Sequence, residues 1–197
     1  MHEIEHFYRW HTVYDVAQDE RSPFYGKEYN YDLYSETIYG YYLAPGWDFI
    51  GSETLYIKVL FADYDRGFVV MEMIGEWNDA INNDIMHLKR NIIEHMMGNG
   101  IHQFILIGEN VFNFHGSDDS YYEEWYEELE EEHENEVPGW IAFVNFADFV
   151  LEEMEQYNLG SYINFGGTLQ IDNWRTKNPL SFYKQVQGII TRRLDLP

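Results

Sequence analysis

Apolar residues along this chain change their spacing from block to block, and the changes mark out its elements. Leu55-Tyr56-Ile57-Lys58-Val59-Leu60-Phe61 and Phe68-Val69-Val70-Met71-Glu72-Met73-Ile74 are short runs rich in β-branched and aromatic residues, which predicts strands. The turn from Ala62 to Gly67 joins them into a β-hairpin. The period then becomes helical: Ile81, Ile85, Leu88, Ile92 and Met96 recur three or four residues apart. Asn78 or Asn82 is placed to cap that helix, and Gly98 and Gly100 to stop it. A strand follows at Phe104–Ile107, then the polar turn His115-Gly116-Ser117-Asp118-Asp119-Ser120. The turn opens into an acidic helix whose inner stripe is Tyr122, Trp125, Tyr126 and Leu129. Val137-Pro138-Gly139 breaks it before a buried strand at Trp140–Val144. Another helix, with Phe149, Val150, Met154 and Tyr157 inward, ends near Asn158-Leu159-Gly160, and Ser161–Phe165 reads as an edge strand. The pattern predicts an α/β fold, with a four- or five-stranded mixed sheet and helices mainly on one face.

Two regions flank that core of residues 54–165. Residues 1–53 form an aromatic extension, in which Phe24, Tyr25, Tyr29, Tyr31, Tyr34, Tyr39, Tyr41, Tyr42, Trp47 and Phe49 are punctuated by Pro23, Gly26, Gly40 and Pro45-Gly46. Such an arm makes no compact core alone, so it is expected to wrap the main domain or a second subunit, and homodimerisation through it is one expectation. Glu5 to Ala17 fits a strand or a short helix equally. Residues 166–197 form a basic tail, where Asn178-Pro179 starts a helix with Phe182, Val186, Ile189 and Ile190 on one stripe.

Composition narrows the partners. The 197 residues carry a net charge of −23, which argues against nucleic acid or an anionic membrane, since both need a basic face. The absence of cysteine removes disulfides, thiolate metal sites and cysteine nucleophiles. No stretch is long and apolar enough to span a bilayer, and Met1–Glu5 has no signal-peptide character, so a cytoplasmic location is expected. No cofactor motif is present.

The candidate chemistry gathers at the strand-to-helix junction, where a helix N-terminus offers unpaired N–H groups and a partial positive charge. Ser117 is read first as a cap, with Asp118 and Asp119 complementing the helix dipole. Glu109, His115, Asp118 and Asp119 are the candidate ligands for a hard cation such as Mg²⁺ or Ca²⁺. Asp84 with His87, and Asn91 and Glu94 with His95, read as solvated helix-face pairs, while Glu76 and Asp79 read as turn and cap residues. The acidic run Glu123–Glu136 reads as a solvated face or as a docking surface for a basic protein.

The order hairpin, helix, strand, helix, strand, helix over Leu55–Phe165 resembles the STAS domain, the fold of bacterial anti-sigma-factor antagonists. Gly75-Glu76-Trp77-Asn78 is similar to that family's Gly-Glu-Leu-Asp step, and Phe143-Val144-Asn145 through Val150-Leu151-Glu152 and Leu159 to its fourth strand and last helix. The resemblance places Ser117 on the family's phosphorylatable serine and His115 on the preceding aspartate. Asp118 and Asp119 stand where the family has Gly-Leu, and their charge opposes a phosphate there.

The resemblance implies a non-enzymatic bacterial regulatory or protein-interaction module. Its recognition surface would be His115, Ser117, Asp118, Asp119, Ser120, Glu124 and Trp125. A metal-assisted hydrolase built on Glu109, His115, Asp118 and Asp119 is the alternative expectation. A third is a small-molecule sensor whose aromatic arm closes a pocket over the sheet edge.

Overall fold

The computed structural model describes residues 3–34, 36–132 and 137–194, so the end of the acidic run, residues 133–136, lies outside it. Among the described residues the chain builds two sheets. A small one joins β1 (Glu3–Ile4), β2 (Thr37–Ile38) and β3 (Tyr41–Leu43) in the order β1-β3-β2. The main sheet runs in sequence order through β4 (Asp48–Phe49), β5 (Leu55–Asp63), β6 (Phe68–Asn78), β7 (Gln103–His115) and β8 (Trp140–Val144). The pairs β4–β5 and β5–β6 are antiparallel, whereas β6–β7 and β7–β8 are parallel. The fold is therefore α/β with a mixed five-stranded sheet, as the hydrophobic pattern predicts.

The apolar strands alternate between two buried faces. Val69, Met71, Phe104, Leu106, Ile141 and Phe143 face one core, and Phe68, Val70, Ile105, Ile107, Ala142 and Val144 the other. Strands covered on both sides need apolar residues at every position, which is why β6, β7 and β8 read as runs. The first face carries α1 (Asp79–Asn82), α2 (Asp84–Leu88), α3 (Glu94–Met97), α4 (Ser120–Glu132) and α5 (Asp148–Gln156). The second carries α6 (Pro179–Leu194), with Trp174 and Trp10 packed beside its apolar stripe.

Several local expectations are corrected. The segment from Ile81 to Met96 is not one regular helix: Asn78 caps a short α1, Asn83 takes a left-handed conformation, and a π turn over Lys89–Ile93 separates α2 from α3. Ile81 consequently points outward. Phe149 is also exposed, and Leu151 takes its place on the inner face of α5. Strand β7 extends well beyond Ile107, because parallel pairing with β6 continues to the Asn78–His115 register. Ser161–Phe165 supplies only an isolated bridge, Asn164 to Ala142, after a 3-10 turn over Leu159–Ser161.

The arm folds on its own chain. After β1 it makes a 3-10 turn over Arg9–Thr12. Trp10 enters the second-face core, Val16 and Phe24 the first-face core, and Trp47 seals a third cluster under the small sheet. Getting from one face to the other takes it across the outer edge of β5, which β4 covers only at Tyr56 and Ile57.

Candidate functional site

The junction residues singled out by sequence do not share a centre. His115 ends β7, and its Nε2 lies 2.7 Å from Glu76 Oε1. Glu76 also accepts a 3.1 Å hydrogen bond from Tyr39 Oη. Ser117 is exposed and does not cap α4; the carbonyl of Asp119 accepts from Tyr122 N at 3.0 Å and from Glu123 N at 2.9 Å. Asp118 accepts from Ser120 N and Oγ, and those bonds hold its carboxyl below its ordinary range. The carboxylate of Asp119 turns to Tyr162 Oη, 3.2 Å away.

Glu109 faces elsewhere and accepts from Trp174 Nε1 at 2.6 Å, Arg175 Nη2 at 2.7 Å and Asn145 Nδ2 at 2.8 Å. The proposed cation set is thus dispersed, each member spent on a different neighbour. Among the described residues, one carboxylate triple is close enough to share a cation: Glu94, Glu124 and Glu128. That space already holds the buried ammonium of Lys89, 3.1, 3.3 and 2.9 Å from the three. Lys89, where the π turn starts, and Arg90 beside it are the cations that meet the acidic helix's Glu124 and Glu128.

Other members of the predicted surface change role too. Trp125 is fully buried edge-on against Phe104, so it belongs to the core and cannot touch a partner. Glu124 is tied to Lys89 and Arg90. Asp84 sits on no solvated face: it is buried and accepts from Asn78 N at 2.7 Å and Thr54 Oγ1 at 3.3 Å. Asp79 is buried beside it and accepts from Tyr122 Oη, Ile85 N and Trp77 Nε1. Burial pushes the Asp79 carboxyl up to about 6, against the pull of those hydrogen bonds. These two aspartates clamp the step from β6 into its helices.

A polar cleft lies where the arm crosses the open part of β5. A cavity of about 480 Å³ is bounded by Lys58, Val59 and Leu60 of that strand and roofed by the arm, with Phe7, Tyr8, Tyr14, Tyr29 and Tyr31 as aromatic walls. Lys58 projects from a strand that is otherwise apolar, with only 11% of its side chain exposed. Its Nζ lies 4.2 Å from the centroid of the Tyr29 ring and 3.7 Å from Asp48 Oδ2, beyond hydrogen-bond range. Asp48 is wholly buried, and its other oxygen accepts from Lys27 Nζ at 2.7 Å and Tyr29 Oη at 2.9 Å. Burial lowers the Lys58 ammonium from its ordinary range, and Asp48 offsets this only in part.

His6 also borders the cavity, and it is 6% exposed with Nδ1 lacking any hydrogen-bond partner. Burial first, then Lys58 and His11, depress its imidazole to about 4, so it is neutral at physiological pH. The next residue, Phe7, donates its backbone N–H at 2.6 Å to Glu72 Oε2. Glu72 is buried opposite Lys58 in the β5–β6 register and takes its counter-charge from Arg175 at 2.9 Å. This bond pins the roof of the cavity to the middle of the sheet.

Sequence reasoning passes over Lys58 and Glu72, although a signal is there: each is the single charge inside an otherwise apolar run, Leu55–Phe61 or Phe68–Ile74. A charge at such a position is desolvated unless a partner or a cavity meets it. No family model matches this chain, and a search of the curated proteins finds no match.

Proposed function

We propose that the protein is a non-enzymatic binding module that takes a small organic molecule into the cavity under its aromatic arm. The observation that carries this reading is the cavity itself. At about 480 Å³ it falls within the size range of ligand sites, and its aromatic walls hold a few converging polar groups. Ligand-observed NMR and thermal melts against a library of small aromatic compounds of both charges test it. Saturable ligands that raise the melting temperature are expected, and a cavity-filling Ala17→Trp should abolish their effect. A library without hits, or hits indifferent to Ala17→Trp, would sink the reading.

A regulatory protein-interaction role, as the STAS resemblance implies, is a second reading. It is favoured by the outward residues Ser117, Asp118, Ser120, Glu123, Glu127 and Glu130, all exposed on one loop and helix. A basic protein, or a second copy docking through exposed arm residues such as Tyr25 and Leu33, would be the partner. Reversing Glu123 and Glu127 to lysine should weaken capture of a basic partner, and unchanged capture would refute a docking role for this face.

A further inference from the structure

We infer that the molecule held under the arm is an aromatic anion, a carboxylate or phosphate monoester, whose charge is met by the Lys58 ammonium. The inference rests on the cavity reading above and adds the ligand's chemical class. It begins from local charge. In a chain of net charge −23, the centre bordering this cavity sets two cations, Lys27 and Lys58, against two carboxylates, Asp48 and Asp15. Asp48 is largely committed to Lys27 and Tyr29 through one oxygen, at 2.7 and 2.9 Å. The other nearby carboxylate, Asp15, is turned into its own loop, where it accepts from Ala17 N and Gln18 Nε2, both at 3.0 Å. Lys58 is therefore the cation at this wall that has no carboxylate oxygen within hydrogen-bond range.

That charge is held where water serves it poorly. The Lys58 side chain is 11% exposed, its nearest carboxylate oxygen is 3.7 Å away, and the face of Tyr29 occupies another side. An ammonium has three donors, and a desolvated one gains most from a charge-assisted bond to an anion. Neutral His6, whose Nδ1 is buried without a partner, adds a hydrogen-bonding group at the same wall. Phe7, Tyr8 and Tyr31 supply flat apolar surface for a ring. A cationic ligand would meet Lys58 and Lys27 in a poorly screened space, and repulsion there is costly.

The test compares 2-naphthoate, 2-naphthyl phosphate, 2-naphthamide and 2-naphthylmethylamine on the full chain, read by saturation-transfer NMR and titration. Binding of at least one anion tenfold or more tighter than the amide is expected, with no saturable binding of the amine. Lys58→Met should erase the preference, and Lys58→Arg, which keeps the charge, should retain it. The two anions distinguish a carboxylate from a phosphate site. Amide binding as tight as both anions, or a preference that survives Lys58→Met, overturns the charge assignment and leaves the cavity reading intact. If no naphthyl compound of any charge binds, both fall together. Should Lys58→Met fail to fold, Lys58→Arg and Lys27→Met carry the comparison, and loss of the anion preference in Lys58→Arg would overturn the assignment.

Discussion

His6 shows how one residue ties cavity to stability. Its imidazole is depressed from 6.5 to about 4 in the folded chain. The unfolded chain therefore takes up a proton first as pH falls, so the stability His6 contributes is present above about 6.5 and lost on the way down to about 4. A shift of that size corresponds to on the order of 3 kcal/mol at most. Asp79 works in the opposite direction: its folded carboxyl is raised to about 6. Its contribution is complete below the unfolded value near 4 and declines as pH rises through 6. Denaturant melts from pH 7 to 4 should show His6→Phe losing less stability than the parent chain over that range, and Asp79→Asn losing more. Parallel curves for His6→Phe would disprove a buried neutral histidine.

At the scale of elements, the hydrophobic pattern made the sheet readable and the joints unreadable. The hairpin, the strand at Trp140–Val144 and the helix opened by Asn178-Pro179 are all where spacing and punctuation put them. Their signals are local: β-branched runs, a period of about 3.6, proline at a first helical position. What escaped were departures set by tertiary pairing. The length of β7 is decided by its parallel neighbour β6, and Lys89, where the π turn starts, meets carboxylates on a helix far along the chain. The candidate metal ligands misled for the same reason, since spacing says which residues lie near one another but not which partner each turns toward.

One joint can be tested directly. Gly75 has φ +126°, and a Cβ there would sit 2.0 Å from the carbonyl oxygen of Thr54, where the register of β6 against β7 shifts. Gly75→Ala combines a disfavoured backbone conformation with a backbone clash, and should cost about 3 kcal/mol or more in equilibrium unfolding. A cost below about 1 kcal/mol would mean that the bulge relaxes.

For the whole molecule, the sheet is a three-layer sandwich whose second face is closed jointly by the two ends of the chain. Among the described residues, no helix is long and apolar enough to cross a membrane. Trp10 donates Nε1 to the carbonyl of Lys177 at 2.9 Å and packs on Trp174, so arm and tail form one lid over Phe68 and Val70. Removing residues 1–50 should strip that lid along with the third cluster, and leave Glu72 without the Phe7 donor. The truncated chain is expected to bind a hydrophobic dye strongly and to melt at least 10 °C lower, given the apolar area laid bare. An unchanged melt would mean the arm is an ornament to a self-sufficient core.

The pinning of Phe7 to Glu72 also bears on the order in which this chain assembles. The arm precedes the carboxylate it fastens to by 65 residues, and that carboxylate gains its counter-charge from Arg175 another 103 residues on. Closing such distant contacts is slow, because loop entropy is lost before the contacts repay it. The start of the arm therefore lacks this fastening until the later residues are made, with Phe7 and its neighbours open to other nascent or unfolded chains. The Phe7 contact therefore waits for Glu72 and Arg175 to be in place, and the cavity is complete only with it.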